Sequence, residues 1–344
     1  MAEERRVVGR RIRRLAVATA VWLLVIAPRP TGALPASDTP PPEVAKLYDA
    51  GSYSRAIDVL QAAAQKDPKD VSLFYWLGRC YFEQRDFDHA ADSLERAVAL
   101  APERSAYHDW LGRAYGRKAE KSSHANMVGA LEMAKHTHHE FEAAVQLDPH
   151  NLAAQRDLIS FMASAPSSLG GGETNALAQI KVLSAVDAVE GLLALADLYA
   201  EKKKFAQADE EYQKALQAAP GRIEPYLEAA DYYADRGDAA HMEGAVGGAT
   251  KVASSDRRLS YYRGVLLVLE KKDPDTAAKE LRTYLETVPD NSELPSHRAA
   301  HAYLGQLYEE QGKPDQASEQ YQAALALDPH NKAIRDALKR VQKK

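Results

Sequence analysis

Leu77-Gly78-Arg79-Cys80-Tyr81 is one of three near copies of the same five-residue string. The others are Leu111-Gly112-Arg113-Ala114-Tyr115 and Leu304-Gly305-Gln306-Leu307-Tyr308. The first two stand 34 residues apart, and the pairs Trp76/Trp110 and Pro68/Pro102 keep that interval. Tyr81 to Pro102, Tyr199 to Pro220 and Tyr308 to Pro329 are each separated by 21 residues, and LDPHN occurs at 147–151 and at 327–331. Self-similarity at such a period decides the architecture before any local pattern does.

Each unit reads as a helical hairpin. In the first helix Leu, a small residue and Tyr at i, i+1 and i+4 form one buried stripe. The Gly or Ala lets the neighbouring helix approach closely. A polar turn follows, such as Gln84-Arg85-Asp86 or Gln311-Gly312-Lys313-Pro314. The second helix spaces Ala, an aromatic or Leu, and Ala by four and three: Ala90, Leu94, Ala97; Ala208, Tyr212, Ala215; Ala317, Tyr321, Ala324. Asp-Pro or Ala-Pro closes the unit, because Pro cannot continue a helix. One hairpin cannot bury both apolar faces, so units must stack.

These residues resemble the tetratricopeptide repeat (TPR), whose signature is W-x-x-L-G-x-x-Y followed by Ala, an aromatic, Ala and Pro. Val71–Pro102, Val189–Pro220 and Arg298–Pro329 match best, with Phe74, Leu192 and His301 at the signature Trp position. The resemblance implies an all-α, right-handed α-solenoid of about eight units over 43–329 and a capping helix in 330–344. Two departures are expected to be insertions, near 116–136 and 166–172. The first makes the third unit's second helix long, near 126–146, with Met127, Leu131, Ala134, Phe141 and Val145 on one apolar face. The sixth unit's second helix carries Gly244, Gly247 and Gly248 and is expected to be weak. In the cap, Ile334, Ala337, Leu338 and Val341 face inward.

The 344 residues are 45% apolar and 27% charged, the balance of a folded chain. The net charge of -5 argues against a general nucleic-acid binder, and the single cysteine, Cys80, excludes an internal disulfide and a multi-cysteine zinc site. That charge is uneven. Residues 1–33 hold seven Arg and two Glu, a sum of +5, so the remainder carries -10. Residues 1–14 are basic, 15–27 form an uncharged run of 13, and small residues follow at Thr31-Gly32-Ala33. This is the order of a secretory signal peptide. A spanning helix needs about 20 apolar residues, so cleavage is expected over an inner-membrane anchor through 15–27. The mature chain would then be secreted or periplasmic with no membrane span. Residues 34–42 read as a Pro-rich linker.

Three features could carry chemistry. His136, His139 and Glu140 share a helix face and form an alternative reading, a loose divalent-metal site on the inserted helix. They lack HExxH and an evident third ligand, so a solvated face is favoured. Gly170-Gly171-Gly172 lacks GxxxxGK[ST] and follows no strand, and reads as a turn. Cys80 sits in a packed helix as an inert thiol. The sequence thus points to no enzyme and no cofactor. It points to a protein or peptide partner and not to nucleic acid, with no membrane span in the mature chain.

The resemblance implies that first helices line a concave groove. Carried over by register, its lining would be Tyr75, Arg79 and Phe82 in the second unit, Asp109 and Arg113 in the third, and Arg156 and Ser160 in the fourth. Asp197, Asp231, Tyr261 and Gln306 would continue it. Exposed aromatics beside Arg suit a binding hot spot. The groove would be Arg-bearing at its N-terminal end and acidic beyond its middle. The Lys and Asn set with which some TPR domains clamp a chaperone's C-terminal carboxylates is absent here.

Overall fold

The structure is a computed structural model that describes residues 39–122 and 126–343. The expected leader 1–33 and the linker as far as residue 38 lie outside the described residues. Every regular element among those described is helical. The hairpins run α1 (Pro42–Asp49) with α2 (Tyr53–Lys66), α3 (Val71–Glu83) with α4 (Phe87–Leu100), α5 (Ser105–Ser122) with α6 (Met127–Leu147), and α7 (Leu152–Ser164) with α8 (Glu173–Val186). They continue as α9 (Ala188–Glu201) with α10 (Phe205–Ala218), α11 (Glu224–Asp235) with α12 (Ala239–Val252), α13 (Leu259–Glu270) with α14 (Pro274–Thr287), and α15 (His297–Glu310) with α16 (Pro314–Leu327). The helix α17 (Lys332–Val341) closes the stack. None of the described helices is long and apolar enough to cross a membrane.

The repeated sequence explains the repeated geometry. Asp70, Asp86, Asn151, Asp187 and Asp238 each accept a backbone N–H of the helix that they open. Such caps satisfy donors that have no partner inside the helix. The small residue of the first helix sits against its hairpin partner. A Cβ on Gly78 would fall 2.4 Å from Leu94 Cγ, and on Gly112 2.7 Å from the Phe141 ring. The tight turn inside a hairpin needs a left-handed residue. Gly51, Arg85, Lys203, Gly237, Lys271 and Gly312 fill it with φ between 55° and 68°.

The repeat's buried stripe is continuous. Leu94, Ala90, Ala97, Ala208, Ala215, Ala317 and Ala324 are fully enclosed, and Tyr212 and Tyr321 nearly so. Cys80 is fully enclosed, and burial pushes its thiol up to about 12. At the C-terminus Ile334, Ala337 and Val341 face inward, while Lys339 and Arg340 sit in the last turn, where cations favour the helix dipole.

The insertions show two outcomes. The first lengthens both α5 and α6. Phe141 and Ala144 are buried, but Met127 is 80% and Leu131 47% exposed, so the expected single apolar face holds only along the C-terminal half of α6. The matching end of α5 is polar: Arg117 and Lys118 turn to Phe87 and Asp88 of α4, and Glu120 and Lys121 are exposed. The second insertion forms a short 3-10 turn, Ser167–Leu169. In α12, Gly244 and Gly247 face open space, whereas a Cβ on Gly248 would lie 2.1 Å from the Tyr226 ring. That glycine is a close approach and not merely a weak point.

Candidate functional site: the layer of first helices

The first helices α3, α5, α7, α9, α11, α13 and α15 pack in succession, one against the next from α3 to α15, as well as against their own partners. One side chain measures the curvature of this layer. Arg156 on α7 places Nη2 2.6 Å from Asp197 of α9 and 2.8 Å from Glu228 of α11. A single guanidinium can bridge three successive first helices only on the inside of a bend.

At the N-terminal end Arg79 is wrapped in rings. Its guanidinium carbon lies 4.3 Å from the Trp110 ring centre, 4.5 Å from that of Trp76 and 5.0 Å from that of Tyr48. The Arg113 guanidinium carbon lies 4.8 Å from the Trp110 ring centre. Cation–π contacts of this kind strengthen as water is removed. Arg79 Nη2 donates to Glu293 at 2.9 Å and to Tyr48 Oη at 3.3 Å. Tyr48 in turn donates to Glu83 at 3.1 Å.

Glu293 comes from far along the chain. The link between α14 and α15, residues 288–296, reaches back to the first two hairpins and closes the solenoid on itself. The Tyr53 hydroxyl donates to the Asp290 carbonyl at 2.9 Å. The backbone N–H and hydroxyl of Ser292 donate to Glu83 at 2.8 and 2.7 Å. Arg85 donates to the carbonyl of Leu327 at the end of α16. Between this link and α3, α4 and α5 a cavity of about 540 Å³ remains, lined among others by Phe82, Arg113, Arg117, Asp157 and Glu293.

Beyond Arg79 the charges are matched in groups. Arg113 Nε bonds Asp157 at 2.5 Å, with Asp109 at 3.5 Å and Glu293 at 3.8 Å. Asp109 is 2% exposed and its Oδ1 has no hydrogen-bond partner among the described residues. Burial raises its carboxyl well above the usual range, and Asp157 adds to this against the attraction of Arg113. Arg156 is shared by Glu190, Asp197 and Glu228. Glu228 is pushed up to about 7, because desolvation outweighs the pull of Arg156. Asp231 accepts from the Tyr262 hydroxyl at 2.8 Å. It too is pushed up to about 7, first by desolvation within the bend and then by Asp235, Glu228 and Asp197.

The expected lining therefore divides. Arg79, Arg113, Arg156, Ser160, Asp197, Asp231 and Gln306 reach solvent to differing degrees. Ser160, Arg156 and Asp197 line a second hollow of about 240 Å³ with Ala194 and Glu201. Tyr75, Phe82 and Tyr261 are 5%, 8% and 5% exposed, so they are not the exposed anchors expected. Each is covered by another ring: Tyr107 stacks on Tyr75, Trp110 meets Phe82 edge-on, and Tyr262 meets Tyr261. Asp109 is likewise enclosed. The arginines are also not free, since each already holds a carboxylate of this chain. Asp157, Glu190, Glu228 and Glu293 belong to the site but were missed by the register argument. Asp157 adjoins Arg156 in sequence, which could have flagged it. Glu293 sits outside every repeat.

The metal reading is corrected. Glu140 is held by His108 at 2.6 Å, and the His136 ring packs 5.3 Å from Tyr115. His139 is exposed, and the described residues contain no group of three or more His, Cys, Asp and Glu placed to hold a metal. For His108, burial opposes the charged form, but Glu140 and the Pro102 carbonyl outweigh it and raise its pKa.

Residues 47–114, 189–222 and 298–331 each match the tetratricopeptide repeat family. No curated protein matches the chain. Among solved structures, yeast Tom70 is 14% identical over 89% of this chain and 61% of its own, with a TM-score of 0.58. A tetratricopeptide repeat protein from Parabacteroides merdae is 16% identical over 79% of this chain and 98% of its own, with a TM-score of 0.48. A thermophilic TPR protein from Thermus thermophilus is 21% identical over 55% of this chain and 95% of its own, with a TM-score of 0.45. At these identities the likeness is one of fold.

Proposed function

Because the chain is a tetratricopeptide-repeat protein, we propose that it is a non-enzymatic scaffold that captures a protein or peptide on the concave layer of its first helices. The observation that carries this reading is the row of charged side chains that reach solvent along that layer, Arg79, Arg113 and Arg156 on α3, α5 and α7, and Asp197, Glu228 and Asp231 on α9 and α11. The arginines are paired within the chain, so a bound segment would exchange partners with them, and complementary charge would set its register. The wide hollows at Arg113 and Ser160 leave room for side chains.

A photo-crosslinking residue at Ser160, inside the bend, is expected to capture the partner, and one at exposed Gln207 on α10 is not. Equal capture at both positions would remove the groove from this reading.

The second part of the proposal is that the scaffold works after export. The basic, apolar and small-residue order of residues 1–33 supports it. Intact-mass measurement of protein from its own cell is expected to show loss of these residues. A mass that still includes them counts against export and leaves the scaffold reading untouched.

A further inference from the structure

The link between α14 and α15 is the longest connection between successive hairpins among the described residues. Its central turn, Asp290–Leu294, behaves as a ligand would. It is neither helix nor strand, and it presents a carboxylate, a hydroxyl and backbone groups to the first two hairpins. Its hold on the first two hairpins is polar and partial, while Leu294 packs against the core of the C-terminal hairpins. Ser292 and Glu293 remain exposed, and Glu293 keeps half of its side-chain surface in solvent. With half of the Glu293 side chain in solvent, its ion pair with the enclosed Arg79 is screened on that side. Glu293 meets Arg79 through one nitrogen only, while Arg79 Nε is buried and has no hydrogen-bond partner among the described residues. A better-placed carboxylate could engage both nitrogens of the fork, the stronger arrangement. The cavity beneath the turn is space into which such a segment can move.

We infer that the Asp290–Leu294 turn is an internal ligand of the Arg79–Arg113 face, and that an acidic, extended segment of a partner protein displaces it. This rests on the reading of the first-helix layer as the partner surface and adds the chemistry of the partner and a gate. A tethered occupant acts at an effective concentration of roughly millimolar. It therefore multiplies the apparent affinity of any competitor by the fraction of molecules in which the turn is open. A weak or singly charged segment is excluded, and one that pairs with both arginines gains entry.

The probe is the turn itself, a fluorescent peptide of sequence PDNSELPS (residues 289–296), titrated into the purified protein. Two opened variants are used, Glu293→Gln and the double variant Ser292→Ala/Glu293→Gln. Both opened forms are expected to bind the peptide about tenfold or more tighter than the parent chain. Adding Arg79→Gln and Arg113→Gln to Glu293→Gln is expected to abolish binding, as is a peptide with Gln in place of its Glu. If either opened form melts with the parent's cooperativity yet binds no better, the turn is not a displaceable ligand and the inference is overturned. If Glu293→Gln alone unfolds the chain, the turn is a structural staple, which also overturns it. Failure here with Ser160 crosslinking intact removes only the gate. Failure of both removes the groove.

Discussion

At the scale of single residues, the bend gathers like charges. Asp231 shows the consequence most simply: its side chain still reaches solvent, but its one hydrogen-bond donor among the described residues is the Tyr262 hydroxyl and its charged neighbours Asp235, Glu228 and Asp197 are all acidic. The folded chain keeps its proton up to about 7, whereas an ordinary Asp releases it near 3.8. The unfolded state therefore binds fewer protons over that interval, and this group's contribution to stability falls as pH rises from about 4 to about 7. Asp231→Asn, whose carbonyl can still accept from Tyr262, is expected to raise Tm at pH 8 and leave it unchanged at pH 4. An equal shift at both pH values would mean that ionisation is not the cause. Part of this was legible beforehand: Arg79, Arg113, Arg156, Asp197 and Asp231 lie in the inner layer, as the register implied. Exposure was not legible. Tyr75, Phe82 and Tyr261 occupy lining positions, yet each is covered by a ring from its own or the next helix, because bending crowds the inner layer. Sequence spacing places a side chain on a face but does not say what lies above that face.

At the scale of elements, the 34-residue period governs turns as well as helices. The left-handed residue stands at Gly51 and then Arg85, and at Lys203, Gly237 and Lys271, with the same spacing each time. A residue with a Cβ is strained there and glycine is not. Lys203→Gly is expected to stabilise the chain by about 0.5–1 kcal/mol, measured by denaturant unfolding with an unchanged m-value. A destabilisation would mean that the added freedom of glycine in the unfolded chain outweighs the relieved strain. The helices themselves were legible because their signal is local: Leu, Gly and Tyr on one turn, Ala-x-x-x-Leu on the next, and Pro at the end. The half-exposed start of α6 was not, because helical spacing of Met127 and Leu131 cannot show that the facing part of α5 is polar.

At the scale of the whole molecule, the notable feature is closure. Tyr53, Glu83 and Arg79 meet residues 290–293, more than 200 positions away. No motif announces such contacts. They arise because the small rotation between neighbouring repeats accumulates along the stack. The same accumulation turns separate first-helix arginines into one face, and brings an otherwise unremarkable link onto it. Function in this account belongs to that face, reached from the concave side, with Arg79 and Arg113 as its charged anchors. The most direct measurement is the affinity of the purified protein for its crosslinked partner, compared with that of Arg79→Gln/Arg113→Gln. Helicity and melting are checked in parallel. Two charge-assisted hydrogen-bond sites are worth about 1.5–3 kcal/mol each, so the predicted result is a loss of about a hundredfold or more with the fold retained. An unchanged affinity in the folded double variant would contradict the account.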